Sequence, residues 1–455
     1  MCFVLVSCGG GSGGGTDENI IDEEQSTSNT TIGTKFLALS TDELFPPDYE
    51  LWQIDAFGNI NLIKDFDENG SASYPHYFKE FKGKTYFAAD EWLSSDGIWV
   101  TDGTTDGTVF IKRFPNFLIS AFKGFTEYNG KLYFIGYDFA STGMWVTDGT
   151  EAGTVKALNI TLGAIGSSGF TEFNSLLYIS ATNGVDGNEL WVTDGTDGGT
   201  VMLKDINPGG DSDPSNFIEQ NGKLYFTAAD AFLNTELWVT DGTSDGTIKL
   251  KEINSGSGST PVELTRFNNK LYFNATNGSV KNLWVTDGTS AGTVIVTDIV
   301  NGPINPKHLT VFKDKLYFQA LDGVSANNTG TELWVTDGTS IGTHIVKDIY
   351  TGLSMSSDPH DLTVFNNRIY FIANDGINGY ELWVTDGTEN NTTMLKALNP
   401  SELNRPRILF EHNNLLYFST DTDENGTLEL WVTDGSTDGT IAVKNSNGIG
   451  YFSLF

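Results

Sequence analysis

Only two cysteines occur in this 455-residue chain, Cys2 and Cys8, and both precede residue 10. No disulfide can staple the remainder of the chain, so its core must hold by packing alone. Cations are scarce as well: 26 Lys+Arg stand against 59 Asp+Glu, a formal net charge of −33. A nucleic-acid surface needs a cationic footprint, and so does docking on an anionic membrane through a basic patch. Both partner classes are therefore set aside. No stretch reaches 18 consecutive apolar residues, so no transmembrane helix is expected. Methionine is rare and no window keeps a 3.6-residue period. What is plentiful is aromatic residues and glycine, with 30 Phe, 16 Tyr, 10 Trp and 51 Gly. That combination points to an all-β protein.

The first eight residues, MCFVLVSC, are apolar but far too short to span a bilayer. Leu5-Val6-Ser7-Cys8 matches the bacterial lipobox: a branched apolar residue, a tolerated residue, a small residue, then Cys. The pattern implies cleavage before Cys8 and lipidation of its thiol. A basic segment before the apolar run is missing, which departs from an ordinary signal peptide and suggests a start codon further upstream. The plainer alternative is a terminus with two incidental thiols. Residues 9–34 are Gly/Ser-rich and acidic, the composition of a flexible tether. The expectation is a monomeric outer-membrane lipoprotein, or a secreted protein, of a Gram-negative cell envelope. It would meet the membrane only through the lipid on Cys8.

The rest, residues 35–455, repeats one motif. Trp-Val-Thr-Asp-Gly starts at Trp99, Trp145, Trp191, Trp238, Trp284, Trp334, Trp383 and Trp431, and a worn copy surrounds Trp52. Successive tryptophans lie 46 to 50 residues apart, so this is one repeat domain rather than several domains. Each repeat holds four short runs. In 361–398 these are Leu362–Phe365, Arg368–Ala373, Glu381–Asp386 and Thr393–Ala397, the first two joined by the turn Asn366-Asn367. Four antiparallel strands per repeat is the grammar of a β-propeller blade, and apolar residues on both faces of ELWVTD fit blades stacked face to face. Residues 35–66 supply only three runs, while Tyr451–Phe455 is an orphan run at the far end. Pairing the two would close a ring of nine blades and remove its open edges. The alternative is eight blades with 35–66 packed outside.

Glu381–Thr388 reads ELWVTDGT, and Glu189–Thr196, Glu236–Thr243 and Glu332–Thr339 match it as fully. On these residues the chain resembles the ELWxxDGT-repeat proteins, a bacterial family found mostly on secreted or surface-anchored chains. The resemblance covers about residues 35–455. It departs in the first copy (Asp55-Ala56-Phe57), at Ser436, and at the Gly-Ile-Trp and Gly-Met-Trp openings before Trp99 and Trp145. It implies fold and location, and brings no catalytic residues with it.

The repeated residues read as structural. Asp102, Asp148, Asp194, Asp241, Asp287, Asp337, Asp386 and Asp434 each precede Gly-Thr or Gly-Ser. An Asp at a turn accepts backbone N–H groups two or three residues on, and one catalytic centre does not need eight copies. The tryptophans, at one strand position, should pack blade on blade.

Function is expected where the repeats differ. Six repeats carry a Pro before strand one: Pro75, Pro214, Pro261, Pro306, Pro359 and Pro406. Between that Pro and the next apolar anchor the chain varies: His76-Tyr77, Ser215-Asn216, Val262-Glu263, Lys307-His308, His360-Asp361 and Arg407-Ile408. Varied tips on a constant scaffold suit one asymmetric ligand site, although a row of solvated loops has the same signature. Aromatics that break the repeat, Trp92, Tyr137, Phe139 and Phe232, lie in the loops from strand two to strand three. They would either stack on a ligand or be buried beneath their loops. Asp421-x-Asp423-x-Asn425-Gly426 has the start of a calcium loop, against the simpler reading of an Asn-Gly turn; no other cofactor is expected. No H-E-x-x-H or P-loop is present. The sequence thus supports a binding propeller for a carbohydrate or a protein. A polysaccharide-active enzyme and a structural or adhesive envelope protein are the alternatives.

Overall fold

The computed structural model describes residues 35–443 except 41–48, 55–59, 67–72, 74, 91–95, 115–123, 138–141, 159–160, 163–169, 233, 279, 297–302, 324–328, 399–405 and 423–428. Cys8, the tether and Tyr451–Phe455 lie outside the described residues. Those described contain β-strands and no α-helix. Residues 33–455 form one unit.

Repeat 1 contributes three antiparallel strands, Lys35–Ser40, Tyr49–Ile54 and Ile60–Lys64. Eight further repeats contribute four principal strands each. Repeat 8 shows the pattern: His360–Phe365, Arg368–Asn374, Tyr380–Thr385 and Thr393–Lys396 pair in sequence order. The hairpin between strands one and two is the expected two-residue turn, with Asn366 and Asn367 both left-handed at φ 46° and 58°. That geometry matches the right-handed twist of the flanking strands. Strands one of neighbouring repeats run beside each other, in repeats 2–3 and 4 through 9, so they gather on the inner side. Strands four form the outer edge.

The core lies between repeats rather than within them. One cluster joins Phe81, Tyr86, Ile98 and Phe114 of repeat 2 to Phe134 and Trp145 of repeat 3. Equivalent clusters link each following pair up to repeats 8 and 9, and another joins repeats 1 and 2. A further cluster sets Ile54 and Trp52 of repeat 1 against Phe410, Tyr417, Leu430 and Val432 of repeat 9. Both faces of each sheet are therefore buried, which is why ELWVTD shows no clean polar alternation. The architecture is a propeller-like all-β fold. The tryptophans are core residues as expected, and Trp238, Trp284 and Trp334 donate Nε1–H to Ala228, Ala275 and Ala320 carbonyls at 3.0–3.1 Å.

The Asp-Gly-Thr block closes the turn between strands three and four in the same way eight times. The Asp Oδ1 accepts the Thr (or Ser436) hydroxyl at 2.7 Å in every copy. It also accepts that residue's backbone N–H. These hydrogen bonds, the side-chain one foremost, hold all eight carboxyls below the usual Asp range. The turns also bind repeats together. A Cβ on Gly338, itself at φ 93°, would come within 2.4 Å of the Tyr272 hydroxyl of the preceding repeat. Lysines in or just after strand four reach across too: Lys112, Lys251, Lys347 and Lys396 donate to Thr154, Thr293, Thr392 and Thr440 carbonyls of the next repeat.

Candidate functional site

The opposite end of the sheets carries the strand two–three loops and the connections into the next strand one. Its geometry starts with a buried glutamate. Glu189, which opens strand three of repeat 4, accepts Ile206 N–H at 2.6 Å, Asn207 N–H at 3.3 Å and the Ser212 hydroxyl at 2.7 Å. Glu236 holds Ile253, Asn254 and Ser259 in the same way, and Glu332 holds Ile349 and Ser357. Glu50 takes Phe66 N–H and the Ser73 hydroxyl. Each carboxylate thus clamps the connection that leads to the next inner strand. Burial pushes Glu189 and Glu236 up from the usual range, and Glu332 up to about 7, although the hydrogen bonds oppose the shift.

Sequence reasoning treated this Glu only as part of the repeat. A signal for its role was present: Ser73-Tyr74-Pro75, Ser212-Asp213-Pro214, Ser259-Thr260-Pro261 and Ser357-Asp358-Pro359 follow four of the six repeats that open strand three with Glu. Repeat 6 opens with Asn282 instead, and the next connection runs as an extended strand, Pro303–Phe312, that pairs with Asn282 through Ile304.

The clamped connections end at the varied dipeptides. These are not loop tips, as expected from sequence, but lie inside strand one at a β-bulge. His360 pairs with Ile372 and Thr363 with Tyr370, so three residues oppose two; repeats 2, 5, 6 and 7 show the same shift. The central residue is left-handed every time: Tyr77 at φ 56°, Asn216 at 55°, Glu263 at 61°, His308 at 58° and Asp361 at 55°. Side chains other than Gly and Asn adopt this conformation at a cost. Bulges of this kind re-aim side chains next to sites. Thr265, Thr310 and Thr363 steady three of the bulges by donating their hydroxyls to the Glu263, His308 and Asp361 carbonyls at 2.9–3.1 Å. Repeat 9 differs: its shift falls between Ile408 and Phe410.

Several of the expected residues meet here. Glu263 Oε2 accepts Leu309 N–H of repeat 7 at 3.4 Å, and Asp361 Oδ2 accepts Ile408 N–H of repeat 9 at 3.3 Å. Arg407 Nη1 lies 3.3 Å from Asp361 Oδ1. His308 sits between the carboxylates. Burial lowers its pKa and outweighs Glu263 and Asp361, which favour the charged form; His360 and Lys307 reinforce the lowering. Its imidazole is therefore neutral near neutral pH, with one ring nitrogen able to accept. Lys307 is exposed and His360 packs against Tyr380, 5.8 Å between ring centroids. Asn274 was missed by the sequence reading. It is buried, its Nδ2 donates to the Pro306 carbonyl at 2.6 Å, and its Oδ1 has no hydrogen-bond partner among the described residues. The signal was a strand-two position that is polar in five repeats, at Ser180, Thr227, Asn274, Gln319 and Ser419, visible only once the register is known.

Other candidates separate from this group. His76 is buried, 4.8 Å from the Tyr77 ring, and so is a poor contact residue. Asn216 Nδ2 donates to Thr227 Oγ1. Phe232 is 82 % exposed at the tip of an Asx turn in which Asp230 Oδ1 accepts its N–H at 2.9 Å, so burial beneath the loop is excluded for it. Val185 and Ile377 stand on equivalent turns, 81 % and 82 % exposed; their aliphatic character hid them among ordinary loop residues. Tyr137 ends strand Lys131–Tyr137 rather than lying in the loop. Trp92, Phe139, Asp423 and Asn425 lie outside the described residues. Asp421 is described, and beside it Glu429 uses both oxygens on Thr422, taking its N–H and its hydroxyl at 2.9 Å. Among the described residues no group of three or more His, Cys, Asp or Glu could hold a metal ion.

No family model matches the sequence, and no curated protein matches it. Among solved structures, a puromycin hydrolase is similar over 77% of this chain and 58% of its own, at 13% identity and a TM-score of 0.39. A puromycin-hydrolyzing peptidase of Mycobacterium tuberculosis has 10% identity, 77% and 59% coverage and a TM-score of 0.36. TolB from Acinetobacter baumannii has 13% identity, 57% and 62% coverage and a TM-score of 0.32. The chain thus spans less than two thirds of the length of these proteins, and the likeness is too slight to bring any activity with it.

Proposed function

We propose that the sheets close into a nine-bladed ring that binds a carbohydrate or a protein ligand on its varied face, without catalysis. The packing of Ile54 and Trp52 against Phe410, Tyr417 and Val432 favours closure, with Tyr451–Phe455 as the missing inner strand of repeat 1. In this reading the ring is an ELWxxDGT-repeat protein held at a Gram-negative envelope by a lipid on Cys8 and the tether of residues 9–34.

The observation that carries the binding reading is the row of bulges. Five repeats keep one strained backbone conformation and place Tyr, Asn, Glu, His and Asp in it. A conformation that costs stability, repeated with a different side chain each time, is what a ligand-reading surface requires and a purely structural one does not. Screening the full chain on a glycan array and a displayed peptide library tests it. Hits should be lost in a Glu263→Gln, His308→Ala, Asp361→Asn triple variant and kept in Asp337→Asn. Hits that ignore the triple variant would sink the reading, and turnover of a bound glycan would replace it with an enzymatic one.

A further inference from the structure

We propose that the inner rim of repeats 6 to 9 is a polyol subsite, in which Glu263 and Asp361 hold vicinal hydroxyls of a carbohydrate while Lys307 and Arg407 donate to its oxygens. The inference rests on the reading of the varied face as the binding face and narrows it to one ligand chemistry.

Donors and acceptors decide the ligand class. A sugar hydroxyl both donates and accepts, so its site must present both kinds of group close together. Acceptors alternate with donors along this rim. Glu263 of repeat 6 is followed by Lys307 and His308 of repeat 7, Asp361 of repeat 8 and Arg407 of repeat 9. A carboxylate has about four acceptor directions. At Glu263 the structure fills one, with Leu309 N–H. At Asp361 it fills one on each oxygen, with Arg407 and Ile408. These bonds fix the orientation of both groups and leave acceptor capacity over, as a preorganised site requires.

Two further observations favour hydroxyls. The buried Oδ1 of Asn274, between the bulges of repeats 6 and 7, is an acceptor with no donor among the described residues. A buried acceptor left unmatched is costly unless something else supplies the donor. The imidazole of His308 stands among carboxylates yet stays neutral, so it can accept from one hydroxyl and donate to another. A phosphate or sulfate ligand would meet Glu263 and Asp361 as like charges. An alkylammonium ligand would meet Lys307 and Arg407 in the same way. A neutral polyol meets neither penalty.

The test uses affinity electrophoresis of the full chain through gels holding three polymers. Dextran and yeast mannan carry vicinal diols; laminarin, being 1,3-linked, has none inside its chain. Retardation is expected in dextran or mannan, absent in laminarin, and abolished once periodate has cleaved the diols of the retarding polymer. Glu263→Gln and Asp361→Asn should each weaken retardation roughly tenfold or more, as loss of a charged hydrogen bond does, with an unchanged thermal melt. Retardation that survives periodate or Glu263→Gln overturns the proposal, as does no retardation by either diol-bearing polymer. Should the rim variants instead abolish binding of a displayed peptide, the polyol inference falls while the binding face stands. If neither ligand class responds to them, both fall.

Discussion

The two ends of the sheets use repetition in opposite ways. At one end Asp-Gly-Thr, with Ser436 for Thr in the last copy, is built eight times with the same 2.7 Å contact. At the other, among the described residues, one bulge is built in five repeats with five different residues at its left-handed position. Constant residues at constant geometry mark interactions that hold the scaffold. Varied residues at constant geometry mark positions where the backbone is the scaffold's business and the side chain is not. Sequence variation alone did not separate this from an unconstrained loop; the recurring φ does.

The contrast is challenged most forcefully at the turn end. Gly338→Ala would drive a Cβ against the Tyr272 hydroxyl at a left-handed φ, and should cost about 3 kcal/mol or more in chemical denaturation. A near-neutral result would mean that the turns do not lock neighbouring repeats.

The next effect concerns the clamps. Glu332, raised from 4.5 to about 7, binds its proton more tightly when folded. Its contribution is full below about pH 4.5 and is lost as pH rises through about 7. Unfolding free energy should therefore fall by at most roughly 3 kcal/mol between pH 4.5 and 8. Glu332→Gln should flatten that slope in a pH series of melts; a slope unchanged by the variant would refute the buried clamp.

Asp337→Ala removes the acceptor of two turn hydrogen bonds. It should cost about 1–2 kcal/mol, as loss of a helix cap does, and leave ligand binding intact.

The smallest effect has the opposite sign. His308→Gly relieves a left-handed non-glycine residue, and should leave stability unchanged or raise it by roughly 0.5–1 kcal/mol while ligand binding drops. Stabilisation with loss of binding is the signature of strain kept for function.

Much of the fold is legible in the sequence because each repeat restates it. Asn366-Asn367 marks a hairpin, Trp383 a packed strand and Asp386-Gly387-Thr388 a turn, and eight copies average out local ambiguity. The rim was half legible. The Pro before strand one and the variability after it pointed to His308, Asp361 and Glu263. Their bulge did not show, because no glycine or asparagine signature marks a left-handed position filled by Glu, His or Asp. Asn274 and the glutamate clamps escaped for another reason: their partners, Pro306 for the first and Ser212, Ser259 and Ser357 for the others, lie 23 to 32 residues away, and only the folded register makes them neighbours. Phe232 shows the remaining limit, since an aromatic in a loop reads alike whether exposed or buried.

Rim side chains that serve a ligand, on a rim backbone that serves the fold, should be separable by substitution. The decisive quantity is the melting temperature of a variant in which Glu263, His308 and Asp361 are all replaced by Asn, the residue already at position 216 and one that tolerates a left-handed φ. The expected result is a melting temperature equal to the parent's or higher, with ligand binding lost. A drop of more than about 4 °C would show that these side chains hold the repeats together, and would contradict the division of labour between side chain and backbone.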